Sequence, residues 1–157
     1  MQGMNLAEMA HVVNVLPPQD ISGGATGDRF HLKKHRKASI IVSVGASAAA
    51  FTKILVNECD AASAGNSNAI PFSVYKEETD AGDTLGARTA VDAAGLTPSA
   101  NDNIFYVIDL DARELTDGFP FVEVQLTNGS GNSVLASVVA VLTGARYAHD
   151  QNETVLS

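Results

Sequence analysis

Hydrophobic residues along this chain fall into short runs that have the length and alternation of β-strands. Residues 38–44 are rich in β-branched side chains, and residues 51–56 form a second apolar run. Residues 70–75 alternate in the manner of a strand, with Pro71 indicating a strand start or a sheet edge. Residues 104–110 are apolar on both faces, as expected of a central strand. Short strands separated by Gly-, Asn- and Ser-rich turns predict an all-β fold, a jelly-roll-like antiparallel β-sandwich.

The pattern after residue 120 predicts a hairpin. Residues 122–126 alternate between apolar side chains and the polar Glu123 and Gln125, which predicts a half-exposed strand. Residues 128–132 read Asn-Gly-Ser-Gly-Asn and predict a turn. Residues 134–142 are almost wholly apolar, so we expect them to pair with the preceding strand across that turn.

The first 27 residues differ from the rest, because their apolar residues have a loosely helical spacing that ends at Pro17-Pro18. Gly23-Gly24 follows and suggests a flexible hinge. The predicted organisation is an N-terminal arm and hinge over residues 1–27, a β-sandwich domain over 28–150 and a polar tail over 151–157. The arm is either a frayed terminus or a segment that docks onto a partner, and its apolar residues favour docking. These residues are Met4, Leu6, Met9, Val12, Val13 and Leu16.

Composition indicates one domain with a largely neutral surface. The chain has 157 residues, of which 45% are hydrophobic and only 18% charged. Cys59 is the only cysteine, so an intrachain disulfide and a cysteine-based zinc site are both excluded. The first ten residues lack the pattern of a signal peptide, and no apolar stretch approaches the ~20 residues of a membrane span. We therefore expect synthesis in the cytoplasm and no membrane partner.

Positive charge is concentrated in one short segment of an acidic protein. The formal net charge is −8, yet five of the ten basic residues fall within residues 29–37. This basic patch either contacts an acidic partner or is a solvated edge whose lysines discourage unwanted pairing. Direct nucleic-acid binding is not expected, because the whole chain is acidic and no aromatic residues are interleaved with the cations. The five residues of the patch are Arg29, Lys33, Lys34, Arg36 and Lys37.

Motifs that would carry chemistry are incomplete in this sequence. Residues 45–49 lack the closing glycine of a nucleophile elbow. The acidic residues of 109–117 do not have the spacing of a calcium loop, and a helical turn capped by its own carboxylates is the competing interpretation. His31 and His35 have a spacing that meets on a helix but not on the expected strand. We accordingly expect no catalytic residue, no metal and no cofactor.

Several segments taken together resemble the capsid decoration, or cement, proteins of tailed bacteriophages, over about residues 20–148. The resemblance implies a jelly-roll-like domain that forms a homotrimer on the exterior of an icosahedral head and clamps neighbouring major capsid subunits. It implies a virion location, and the family offers no catalytic residues. A carbohydrate-binding or receptor-binding β-sandwich is the alternative, although the chain has no Trp to stack on sugars. An enzyme ranks last. The segments are Gly27-Asp28-Arg29, Ser39-Ile40-Ile41-Val42, residues 51–59, residues 109–115 with Asp117-Gly118-Phe119, and Gly144-Ala145-Arg146-Tyr147-Ala148.

Overall fold

The computed structural model describes residues 5–77 and 84–146, and these form an antiparallel β-sandwich. This confirms the predicted all-β fold, whereas the jelly-roll arrangement stays a prediction. One short helix, α1, spans Leu6–Met9, and a single 3-10 turn spans Ala112–Glu114. The strands are β1 His11–Asp20, β2 Ala25–Thr26, β3 Phe30–His31, β4 His35–Ser47, β5 Lys53–Cys59, β6 Ser67–Ala69, β7 Phe72–Glu77, β8 Thr89–Val91, β9 Ile104–Asp111, β10 Phe121–Thr127 and β11 Val134–Ala145.

Two sheets make up the sandwich. Sheet A has the order β1-β11-β4-β9-β7-β8 within the described residues. Sheet B has the order β2-β10-β5-β6, and β3 also pairs with β10. The prediction that residues 104–110 form a central strand is confirmed, because β9 lies between β4 and β7.

The core lies between the sheets and follows from the alternation of apolar side chains along each strand. In β4 the inward residues Ile40 and Val42 are fully buried, and in β9 so are Tyr106 and Ile108. Sheet B contributes the facing layer from β5 and β10, and all these side chains belong to one continuous cluster. Burying one such side chain contributes about 1.5–3 kcal/mol. Packing of this kind stabilises the domain without a disulfide.

The predicted N-terminal arm is wrong over most of its length, because residues 11–20 form strand β1 of sheet A. This strand pairs antiparallel with β11, from His11 opposite Leu142 to Asp20 opposite Leu135. Pro17 and Pro18 are tolerated because β1 is an edge strand, where missing amide donors cost little, and the register shifts between Leu16 and Gln19. The boundary at residue 27 therefore does not separate an arm from a domain. The sandwich begins at His11.

Burial separates the residues assigned to the arm into two groups. Val13 is 3% exposed and Leu16 4% exposed, and both pack in the core, so they cannot contact a partner. Leu6, Met9 and Val12 are exposed by 45%, 61% and 48%, respectively. Met4 lies outside the described residues, as does the predicted tail over 151–157.

The predicted hinge is a packed connection. Gly27 donates its backbone N–H to the carbonyl of Val124 at 2.8 Å, and Asp28 donates to the carbonyl of Val15 at 2.8 Å. A Cβ on Gly27 would lie 2.6 Å from Cγ1 of Val15, so the glycine is required for close approach of β1. Gly24 of the predicted hinge likewise donates its backbone N–H to the carbonyl of Ile21 at 2.8 Å, so the hinge interpretation is wrong.

The predicted hairpin between β10 and β11 is also wrong. The two strands follow each other in sequence but lie in different sheets, with β10 beside β5 and β11 between β1 and β4. The loop over 128–132 crosses from one sheet to the other and is held by Asn128, whose Nδ2 donates to the carbonyls of Ile21 at 3.1 Å and Asn132 at 2.8 Å. Because β10 and β11 are both strongly apolar, placing them in opposite sheets lets the inward side chains of each strand pack in the core between the sheets.

Candidate functional site: a basic groove at one end of the sandwich

A groove of about 690 Å³ lies at the end of sheet A where β4 begins and β9 and β11 end. Four of its lining residues are cationic and one is anionic, which gives a formal local charge of +3 in a protein of net charge −8. We call it the basic groove. Its lining residues are Arg36, Lys37, Asp111, Arg113, Thr143, Gly144, Ala145 and Arg146.

Strand pairing assembles the groove from three separate parts of the sequence. Lys37 lies opposite Thr143 on β11 and opposite Asp111 on β9, so β4 carries it at the centre of the sheet. Arg146 follows β11 directly and is fixed by its backbone N–H, which donates to the carbonyl of Lys34 at 2.8 Å. The sheet register therefore places cations from residues 36–37 and 146 at the same end of the sandwich.

Gly144 shapes the floor of the groove. Its φ is +65°, which side chains rarely adopt, and a Cβ there would lie 3.1 Å from Cβ of Arg36. The absence of a side chain at 144 leaves room for the aliphatic part of Arg36. A larger residue at 144 would have to displace that side chain.

The acidic side of the groove is a closed hydrogen-bonded unit. Arg113 donates from Nε and Nη2 to Oδ1 and Oδ2 of Asp111, at 3.1 and 2.9 Å. These bonds, joined by the backbone N–H of Arg113 and the charge of Lys37, hold the pKa of Asp111 far below its usual range. The same partnership raises the pKa of Arg113. Asp111 is therefore fully ionised at neutral pH and is already engaged.

Arg36 and Arg146 differ from Arg113, because neither makes an ion pair with any residue that the structure describes. Both are exposed. Their charges are available to an anionic partner at little desolvation cost, and an exposed guanidinium can bind a carboxylate through two parallel hydrogen bonds. The groove is thus suited to hold acidic side chains.

The predicted basic patch is divided by the fold. Arg36 and Lys37 line the basic groove, and Lys33 extends over the ring of Phe121, 5.8 Å from its centre, at the edge of a neighbouring smaller groove. Lys34 contributes the carbonyl that fixes Arg146. Arg29 does not belong to this surface.

Arg29 is a partly buried residue engaged in a hydrogen-bond network, which corrects its assignment to the basic patch. Its Nε donates to Oε2 of Glu123 at 2.7 Å, and both side chains are only 12% exposed. Its Nη1 donates to the carbonyl of Ala61 at 3.1 Å and also to that of Ala64. This network explains why Glu123 is buried, although the alternation of residues 122–126 predicted a half-exposed strand.

Sequence patterns missed Arg113 and Arg146 as members of the groove. Arg113 was hidden within an acidic segment, and Arg146 stands alone near the end of the described chain. Their proximity to Arg36 depends on pairings between strands more than 60 residues apart in sequence. No local signal carries that information.

The acidic segment forms the capped turn that was the alternative to a calcium loop. The side chain of Asp111 accepts from the backbone N–H of Arg113 at 3.0 Å, while Glu114 accepts from the backbone N–H of Asp111 at 2.8 Å. In the described part of the chain, no group of three or more His, Cys, Asp or Glu residues is arranged to hold a metal ion.

Histidines gather beside the groove. His35 is 2% exposed, and its ring stacks on that of His11 with centroids 5.9 Å apart. Burial lowers the pKa of His35, and nearby His11, His31 and Lys34 lower it further. His31 lies in β3 and His35 begins β4, so the two histidines do not share the single strand that was expected.

Comparison with known proteins supports the fold. No family model matches the sequence, and no curated protein matches it. The crystal structure of the SPBc2 prophage-derived protein YomS is similar over 86% of this chain and 93% of that one. The TM-score is 0.51 and the sequence identity 15%, so the similarity concerns the fold alone. None of the described helices is long and apolar enough to cross a membrane.

Proposed function

We propose that this protein is a structural component of a phage virion that binds the exterior of an icosahedral head as a homotrimer and stabilises contacts between neighbouring major capsid subunits. The sequence resemblance to decoration proteins supports this role, and the fold shared with a prophage-derived protein is compatible with it. The protein acts by binding, without a catalytic residue or a cofactor.

The observation that carries the proposal is the basic groove in an acidic protein. Two surfaces of like charge repel at long range, so a strongly acidic protein that docks on an acidic surface needs a local patch of opposite sign. Arg36 and Arg146 supply that patch and have no competing ion pair among the described residues. In the proposed complex, acidic side chains of the major capsid protein occupy the groove.

The exposed part of the predicted arm supplies a second contact. Leu6 and Met9 of α1 present apolar surface next to the sandwich. A fully buried side chain of this kind contributes about 1.5–3 kcal/mol before ordering entropy is subtracted. Apolar burial would then supply most of the affinity, and the groove would set the salt dependence.

Co-sedimentation with undecorated heads of the phage that encodes the chain tests this proposal. Arg36→Gln and Arg146→Gln each remove one exposed ion pair of about 0.2–1 kcal/mol, so together they should weaken binding by roughly 2- to 30-fold at low salt. The loss should shrink as salt rises, because exposed charges are screened. Lys53→Gln is the charge-matched control, since Lys53 lies on sheet B at the opposite end of the sandwich.

The arm is tested by deleting residues 1–9, which leaves β1 intact and should weaken binding at every salt concentration. A longer deletion to residue 20 would remove β1 and unfold the sandwich, so it would not be informative. If the groove double variant and the deletion both decorate heads as well as the parent, the proposed contact is wrong.

A further inference from the structure

We infer that the outer face of sheet A is the surface through which copies of this chain associate with one another. This inference rests on the proposed function, which calls for a homo-oligomer, and identifies the face that forms it. The observation is a row of apolar side chains on the side of sheet A that faces away from the core. Strand register places Val139, Ile41, Val107 and Tyr75 next to one another across β11, β4, β9 and β7.

The neighbouring rows extend this apolar strip. Val12 and Val141 are opposite each other on one side, and Phe105 lies on the other side next to Ser43. Inward residues of the same strands are fully buried, whereas these outward ones are half-buried or exposed, with Val12 at 48%. A soluble protein seldom leaves so continuous an apolar strip in contact with water unless a partner covers it.

Charge favours a second copy as that partner. Two molecules that each carry a net charge of −8 repel, so a contact between copies is favoured where the surface carries little charge. The row that contains Val139 and the row next to it contain one charged side chain between them, Asp109. Its carboxylate accepts a hydrogen bond from Oγ of Ser39 at 3.2 Å. The second row consists of Val12, Val141, Ser39, Asp109 and Ser73.

The apolar rows provide a large part of the area that a stable association needs. Five strands about 4.8 Å apart, with about six residues each rising about 3.3 Å, give a flat footprint of roughly 500 Å². A standard interface buries about 800 Å² per partner, and the relief of the side chains adds to the flat footprint.

The edges themselves are poorly suited to pairing. One edge strand, β1, contains Pro17 and Pro18, and the other described edge strand, β8, is three residues long. Short strands and prolines prevent the addition of a further strand. Self-association through the outer face of sheet A is compatible with these two edge strands, whereas edge-to-edge pairing is not.

Sedimentation velocity and light scattering on the full chain over a roughly hundredfold range of concentration test the inference. The parent should be an oligomer. Ile41→Lys should dissociate it, because a buried lysine would be placed at the centre of the contact. Val107→Thr combined with Val139→Thr keeps the β-branched shape and strand propensity, and should weaken association at least tenfold while circular dichroism and thermal unfolding stay close to those of the parent.

The matched control is Gln125→Lys, a half-buried outward position on sheet B, which should leave association unchanged. A parent that is monomeric at every concentration overturns the inference, as does a folded threonine double variant that assembles like the parent. Dissociation of the Gln125→Lys control would also overturn it, because net charge and not this face would then govern assembly.

Failure here is distinguishable from failure of the proposed function. A monomer that still decorates heads refutes the self-association face and leaves the capsid role in place. An oligomer that is dissociated by the Ile41 and valine changes but never binds heads supports the face and refutes the capsid role.

Discussion

Replacing Arg29 by methionine should destabilise the protein strongly, although this residue belongs to a segment that sequence alone assigns to a surface patch. The change removes the Nε donor to Glu123 at 2.7 Å and the Nη1 donor to Ala61 at 3.1 Å. It also leaves the side chain of Glu123, which is only 12% exposed, without its cationic partner. Among the residues that the structure describes, the bond from Nδ2 of Asn57, at 3.2 Å, is the one that would remain to that carboxylate.

The magnitude follows from burial. Breaking a buried ion pair by removing one partner costs about 3–5 kcal/mol, whereas an exposed pair contributes about 0.2–1 kcal/mol. At 12% exposure the Arg29–Glu123 pair lies near the buried limit, with some access for water. We therefore expect Arg29→Met to lower the free energy of unfolding by about 3 kcal/mol. Part of this cost is the isolated charge of Glu123, so Arg29→Met combined with Glu123→Gln should cost less than the two single changes added together.

Urea unfolding followed by far-ultraviolet circular dichroism measures these differences, because the chain has no Trp for fluorescence. The double-mutant cycle should give a coupling of at least about 1 kcal/mol. Arg29→Met should leave the capsid affinity of the folded protein unchanged, in contrast to the groove variants. The reasoning is refuted if Arg29→Met costs less than about 0.5 kcal/mol, or if the two single changes are additive.

Two further predictions concern the histidine cluster and the N-terminal strand. Folding lowers the pKa of His35 from 6.5, so as the pH falls the imidazole is protonated in the unfolded chain before it is protonated in the folded protein. The free energy of unfolding should therefore decrease as the pH drops below about 6.5, by up to about 1.4 kcal/mol per pH unit. His35→Leu should flatten that slope between pH 7.5 and the folded pKa, and urea unfolding across this range with an unchanged slope would count against the assignment. Gly27→Ala should destabilise the domain by about 1–3 kcal/mol, because the new methyl group would lie 2.6 Å from Cγ1 of Val15, whereas Gly23→Ala, which has no atom within 4 Å, should have little effect in the same assay.

Local patterns found the strands that are continuous apolar runs rich in β-branched residues. Residues 38–44, 104–110 and 134–142 lie within β4, β9 and β11, because such residues fit the pleated surface of a sheet that is buried. The capped turn after β9 was also accessible, since Asp111 and Glu114 have the spacing of a capping box. Both features depend only on neighbours in sequence.

Strand partners could not be obtained in this way. Strand β1 combines irregular spacing with two prolines, and its core position becomes visible only beside β11, over 100 residues away. The turn over 128–132 has the residue types of a hairpin turn. Core packing nevertheless places β10 in sheet B and β11 in sheet A. The basic groove could not be predicted for the same reason. Arg36 was recognised as part of a basic segment, but its position beside Arg146 follows from the register between β4 and β11.

The position of β11 also constrains when the fold can form. This strand lies between β1 and β4, yet it is made after both of them. Until residue 145 has left the ribosome, β1 has no neighbour and one side of β4 is an open edge with apolar side chains. Pairings between such distant segments close slowly, and chains waiting in that state are prone to aggregate. Sheet A is therefore completed only once Val134–Ala145 has been made, and a chain interrupted before Val134 would lack the strand that joins β1 to β4.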